Sequence, residues 1–122
     1  MLRGVRGAIQ VSANNEEAIL NGAEELMRSI ITANKVRSSG VAAVFFTMTP
    51  DLNAVFPAEV RKRLEWNLVP FLCEQEVAVP GALERVVRVL ILFETELNQA
   101  DVRHIYLGAA AQLRPDLSPR NE

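Results

Sequence analysis

The chain has 122 residues, 49% of them apolar, with a formal net charge of -2 and a pI near 5.5. This length suits one domain, 1–122, built on a single core, and is small enough that part of the apolar surface is expected to face a neighbouring subunit. The acidic balance excludes nucleic-acid binding by bulk positive charge, uncharged runs such as 41–50 are too short to span a bilayer, and the one cysteine, Cys73, cannot form an intrachain disulfide. Gly4, Gly7 and Gln10 interrupt what would be the apolar segment of a secretion signal, so the expectation is a soluble, cytoplasmic protein without a membrane or nucleic-acid partner.

In chain order, residues 2–12 read as a strand with Val5, Ile9 and Val11 on one side. Arg3-Gly4-Val5-Arg6-Gly7 at its head admits two readings: glycines that bring the backbone close to a ligand while arginines point at it, or a solvated, irregular strand start. Asn14-Asn15-Glu16-Glu17 has the form of a capping box. The helix that follows carries Ile19, Leu20, Ala23, Leu26, Met27, Ile30 and Ile31 at 3.6-residue spacing, with Glu16, Glu17, Glu24 and Glu25 assigned to its wet face.

After a polar link at 34–40, residues 41–49 form a strand apolar on both faces, as expected of a central strand. Pro50-Asp51-Leu52-Asn53 turns the chain, and Pro57 opens a short helix, 57–64, that carries Arg61, Lys62 and Arg63. Consecutive helical residues point about 100° apart, so at most one or two of these three cations face a common ligand. Trp66 is expected to anchor this segment to the core.

The stretch 68–96 reads as strand, Pro80-Gly81 break and second strand. Alternation puts Phe71, Cys73 and Gln75 on one face and Leu72, Glu74 and Glu76 on the other. Cys73 and Glu76 therefore share a cavity only across a bulge, and otherwise serve two different pockets. Arg88 stands among Val86, Val87, Val89, Leu90, Ile91, Leu92 and Phe93, a run that reads as a buried strand. An unpaired guanidinium there costs several kcal/mol, roughly, so Arg88 calls for an anionic partner.

Residues 98–101 turn into a last strand, 102–107, with His104 and Tyr106 on one face, His104 being read as a structural residue. The alanine-rich 108–113 suits a helical turn, and the tail, 115–122, is expected to be mobile. The sum is an α/β, or α+β sandwich, fold: a mixed sheet of about five strands with one long helix and short helices. One long helix covers only one sheet face, which leaves the other for identical chains. Arginines, a glutamate, a tyrosine and a thiol suit a small polycarboxylate ligand.

RGVRGAI, TPDLNAVFPA, VPFLCEQE, PGALERVVRVL, RHIYL and LRPDL, in this order from end to end, together resemble the short, single-domain chorismate mutases of the AroH class. The resemblance implies a homotrimer forming a pseudo-α/β-barrel, with active sites at subunit interfaces, and rearrangement of chorismate to prephenate by a pericyclic [3,3] shift in phenylalanine and tyrosine biosynthesis. It implies no nucleophile, metal or cofactor. By this resemblance Arg88 contacts the ether oxygen, Arg6 binds a substrate carboxylate with help from Tyr106, Glu76 accepts from the substrate hydroxyl and pairs with an arginine, and Cys73 supplies the pocket thiol. Phe56, Ala58, Phe71 and Leu72 match the pocket wall, and Leu113 and Arg114 match the tail over its mouth.

The chain departs from the pattern at Glu59, where related chains often have lysine, and is one residue shorter between Phe56 and Trp66. Which of Arg61, Lys62 and Arg63 matches the family arginine on this helix therefore stays open. Two other readings suit the same residues: an imine deaminase of similar trimeric fold, and a non-catalytic trimeric binder of small carboxylates.

Overall fold

The computed structural model describes residues 1–113; Arg114 and the tail at 115–122 lie outside the described residues. Five strands form one mixed sheet: β1 (Leu2–Gln10), β2 (Val41–Met48), β3 (Phe71–Gln75), β4 (Val86–Glu94) and β5 (Ile105–Leu107), in the order β3-β2-β4-β1-β5. The antiparallel pairs β1–β4 and β2–β4 form its middle, and β3 and β5 join the two sides in parallel. The central strand is thus β4, with β2 one place removed, because β3 pairs only with β2 and takes the edge.

Helix α1 (Glu16–Asn34) lies across one face. Its apolar stripe meets Val5 and Ile9 of β1, Val44 and Phe46 of β2, and Val87, Val89, Ile91 and Phe93 of β4 in one core. Its N-cap is Asn15, whose side chain accepts from the Ala18 N–H at 2.8 Å, so the capping box anticipated with Glu17 does not form. Asn14 instead leaves the helix: its Oδ1 accepts from the Asn53 and Ala54 N–H groups and its Nδ2 donates to Asn53 Oδ1. At the other end Lys35 closes α1 in a left-handed conformation, φ 53°, with its N–H bonded to Ile31. Buried Asn34 exchanges hydrogen bonds with the Arg103 backbone and so fixes the entry to β5.

A 3-10 turn (Pro57–Glu59) runs into the short helix α2 (Val60–Leu64), which replaces the single helix expected over 57–64. Trp66 is buried beside Phe71, as anticipated. Glu24 belongs only partly to the wet face: it accepts from Arg28 on its own helix and from Arg63 on α2, which holds its carboxyl below the ordinary glutamate value. The last strand begins at Ile105, three residues later than expected.

Gly7 serves the packing of the sheet as well as lining a cavity beside Arg6. A Cβ there would stand 2.7 Å from the Ile105 carbonyl oxygen and 2.9 Å from Leu26 and Ile30 of α1, so the missing side chain lets helix and sheet meet. Gly7→Ala is expected to cost about 1–3 kcal/mol of stability through overpacking, measured as a lower denaturation midpoint in urea.

Candidate active site

Alternation along each strand sends Val87, Val89 and Ile91 under α1 and sends Arg88, Leu90 and Leu92 to the opposite face. No helix of comparable length covers that face among the described residues. Arg88 is therefore not enclosed by its valine neighbours; it is 39% exposed on a half-open surface. The registers set a row across the sheet, Tyr106–Ala8–Arg88–Thr47–Glu74, and beside it a second row, Arg6–Leu90–Phe45–Leu72. Between the rows lies a cavity of about 270 Å³ lined by Arg6, Phe45, Thr47, Arg88, Leu90 and Tyr106 among others.

The anion that Arg88 requires is Glu76. Its Oε2 stands 3.0 Å from Arg88 Nε, and the carboxylate is only 16% exposed. The Arg88 Nε is buried, yet its N–H is not directed along this contact to make a hydrogen bond. Oε2 accepts instead from the Thr47 hydroxyl at 2.6 Å, a length typical of a charge-assisted bond. Glu76 sits just past β3, where its N–H donates to the Met48 carbonyl at 2.7 Å, so β2 holds both its backbone and its carboxylate.

Arg6 is positioned through its backbone, whose N–H donates to Nδ1 of His104 at 3.0 Å. This is the structural role expected of His104, with its acceptor nitrogen facing the chain. Tyr106 is buried with Ala8, Val86 and Ala110 in a small cluster on the open side of the sheet. The 3-10 turn Gly108–Gln112 folds over that cluster, and Leu113 packs against it, beside Tyr106.

The remaining site residues lie elsewhere. Cys73 and Phe71 point toward the core face, away from Glu76, and no register break interrupts β3. Phe71 stacks on Phe46 at 6.2 Å. Burial pushes the Cys73 thiol up, a backbone hydrogen bond from Ala58 works against this, and the Glu59 charge adds to it; the group stays a protonated thiol at neutral pH. Ala58 packs at the edge of the core near this sulfur, and Phe56 is 67% exposed.

A groove of about 760 Å³ runs along this side, lined by Phe56, Glu59, Lys62, Arg63, Met48 and Gln75 among others. Lys62 pairs with Glu59 at 2.8 Å, and Arg63 reaches Asn21 and Glu24 of α1. Arg61 does not line this groove. Leu72 alone of the wall residues stands on the Arg88 side, 53% exposed. Within one chain the candidate residues thus form two groups: Arg6, Leu72, Glu76, Arg88, Tyr106 and Leu113 on the open face, and Phe56, Ala58, Lys62, Arg63, Phe71 and Cys73 around α2.

Three supporting residues, Thr47, Thr49 and Asp51, carry no signal of their role in the sequence. Thr47 was readable only as one more β-branched strand residue, although its even spacing from Phe45 places it on Arg88's face. Asp51 reads as a turn residue, but its Oδ2 accepts from the Arg85 N–H at 2.9 Å. Arg85 adopts a left-handed conformation, φ 53°, one residue before β4 begins. The adjacent Thr49 hydroxyl accepts from the Val86 N–H at 3.0 Å. Together they set the start of β4 and hence the position of Arg88. Partial burial pushes the Asp51 carboxyl up, but hydrogen bonds from Thr49, its own backbone and Arg85 outweigh this and hold it below its ordinary value of 3.8.

The family model described as chorismate mutase type I matches residues 2–117. Chorismate mutase AroH of Thermus thermophilus is 48% identical over 118 residues, covering 96% of this chain and 97% of the relative. Chorismate mutase AroH of Bacillus subtilis is 42% identical over 119 residues, covering 97% and 94% respectively. A solved chorismate mutase from Clostridium thermocellum superposes with a TM-score of 0.88 at 31% identity, covering 89% of this chain and 97% of that one.

A depressed carboxyl contributes stability above its unfolded value and loses it as pH falls through the folded one. Asp51→Ala is therefore expected to cost about 1 kcal/mol near pH 7, a modest figure for an exposed group. The gap between variant and wild type should close as the medium is brought below the ordinary aspartate value, as read by urea melts across an acid pH series.

Proposed function

The chain belongs to the type I chorismate mutase family and is an isomerase of that kind, and from this premise we propose how its residues carry the reaction. The rearrangement of chorismate to prephenate is intramolecular. It requires a compact substrate conformation and charge stabilisation at the ether oxygen as the C–O bond breaks. The observation that carries the reading is a guanidinium, Arg88, held beside Glu76 at the wall of a small cavity that Arg6 and Tyr106 also line.

Arg88 meets the developing negative charge on the ether oxygen. Fixed in place before substrate arrives, it needs no reorganisation during the reaction, which is the condition under which such a donor is most effective. Arg6 takes a substrate carboxylate and Tyr106 assists it. Glu76 accepts from the substrate hydroxyl while keeping Arg88 oriented. No acid, base or nucleophile is required by this scheme, and a Cys73 thiol pushed up by burial suits a neutral pocket wall. The family match over residues 2–117 favours this activity over an imine deaminase.

We further propose that the active protein is a cytoplasmic homotrimer with a site at each subunit interface. Two features support this. The open sheet face exposes Leu2 and Leu72 next to Leu90, Leu92 and Phe45, an apolar surface suited to a neighbouring chain. The two groups of candidate residues lie on opposite faces of one chain, so a complete pocket needs the open face of one subunit and the α2 side of the next, Phe56, Cys73 and one of the α2 cations included. Leu113, packed on the Tyr106 cluster, would border the mouth of this pocket.

Arg88→Ala is expected to lower kcat for chorismate at least about 100-fold, the scale of losing a preorganised donor, with the circular dichroism spectrum unchanged. Turnover at the wild-type rate would refute the role of Arg88. Co-refolding Arg88→Ala chains with chains in which Arg61, Lys62 and Arg63 are all alanine should restore activity, since random assortment leaves about one shared site in four intact. Activity no higher than that of either parent would exclude shared sites.

A further inference from the structure

We infer that Thr47 is a positioning residue for Arg88, acting through Glu76; the inference rests on the chorismate mutase reading of this cavity. The geometry at Glu76 motivates it. One carboxylate oxygen, Oε2, is approached both by Arg88 Nε at 3.0 Å and by the Thr47 hydroxyl at 2.6 Å, and only the hydroxyl makes a directed hydrogen bond. Left to itself, a carboxylate beside a guanidinium turns to accept two parallel N–H bonds from the fork. Thr47 opposes that rotation.

The consequence falls on the guanidinium. Nε is buried while the Arg88 side chain as a whole is 39% exposed, so Glu76 engages the inner end of the group and the open part faces the cavity that Arg88 lines. A Glu76 released from Thr47 would swing into a two-point pair and draw those outer nitrogens off the ligand. Residue type and place both suit the task. Thr47 lies opposite Arg88 in the β2–β4 register, it stands on an interior strand, and its β-branch restricts the hydroxyl to few directions. A valine would fill the same space in this strand, so the hydroxyl is the feature that packing does not explain.

The test compares Thr47→Val, Thr47→Ala and Thr47→Ser by steady-state conversion of chorismate and by 15N NMR of the Arg88 Nε–H, identified by its loss in Arg88→Lys. Removing one hydrogen bond to a charged group predicts a fall in kcat of about 10- to 100-fold for the valine and alanine variants, with KM within about threefold. Thr47→Ser should recover most of that loss, and the Arg88 Nε–H resonance should move in the valine variant and return in the serine variant. Wild-type kcat in Thr47→Val, serine as impaired as valine, a change confined to KM, or an unmoved resonance would each overturn the inference. Wild-type protein without turnover would refute the activity itself, and the resonance would then decide alone whether Thr47 sets the ion pair.

Discussion

The ion pair between Arg88 and Glu76 stands on a sheet face that no long helix covers among the described residues, and the rest of the site is arranged around that placement. A pair buried on all sides would pay a desolvation cost that its mutual attraction seldom repays, while one fully in water would be weak and mobile. Here the inner nitrogen is buried, the carboxylate nearly so, and the remaining guanidinium is open to a small cavity. That compromise yields a cation held in one place and still accessible to a ligand, which is what electrostatic catalysis of a charge-developing bond cleavage requires.

The asymmetry of the sheet follows from element count. With α1 on one face, Val87, Val89, Ile91 and Phe93 of β4 enter the core together with Val5 and Ile9 of β1 and Val44 and Phe46 of β2, and the alternate residues face outward. Edge strand β3 and the residue after it then face two sides. Glu76 meets Arg88 and Thr47 on the open face while Cys73 faces Ala58 and α2. This division is what the proposed sharing of pockets between chains draws on, together with the exposed Leu2 and Leu72 on the open face.

Loops that could have wandered are tied by side-chain to backbone bonds, each reaching far along the sequence. Asn14 holds the 53–54 turn, Asn34 holds the approach to β5, and Asp51 with Thr49 holds the start of β4. Polar residues near helix ends and in turns are usually explained by local capping. In this protein several of them act at a distance, and the positions of Arg6, Arg88 and Tyr106 depend on them.

Much of this was legible in the chain alone. The helix stripe from Ile19 to Ile31, the strands, the need of Arg88 for an anion and the opposite orientation of Cys73 and Glu76 all follow from period and charge, which are properties of local sequence. The motif order also carried the family. Three things were decided only by the fold. Arg88 lies on an open face because α1 packs on the other one, a choice that a run of valines and leucines does not reveal. Gly7 accommodates α1, which the sequence does not show, since the residues it meets, Leu26, Ile30 and Ile105, are distant in sequence. Thr47 meets Glu76 across 29 residues. Pairwise contacts of that range depend on strand register, and register is set by the whole sheet at once.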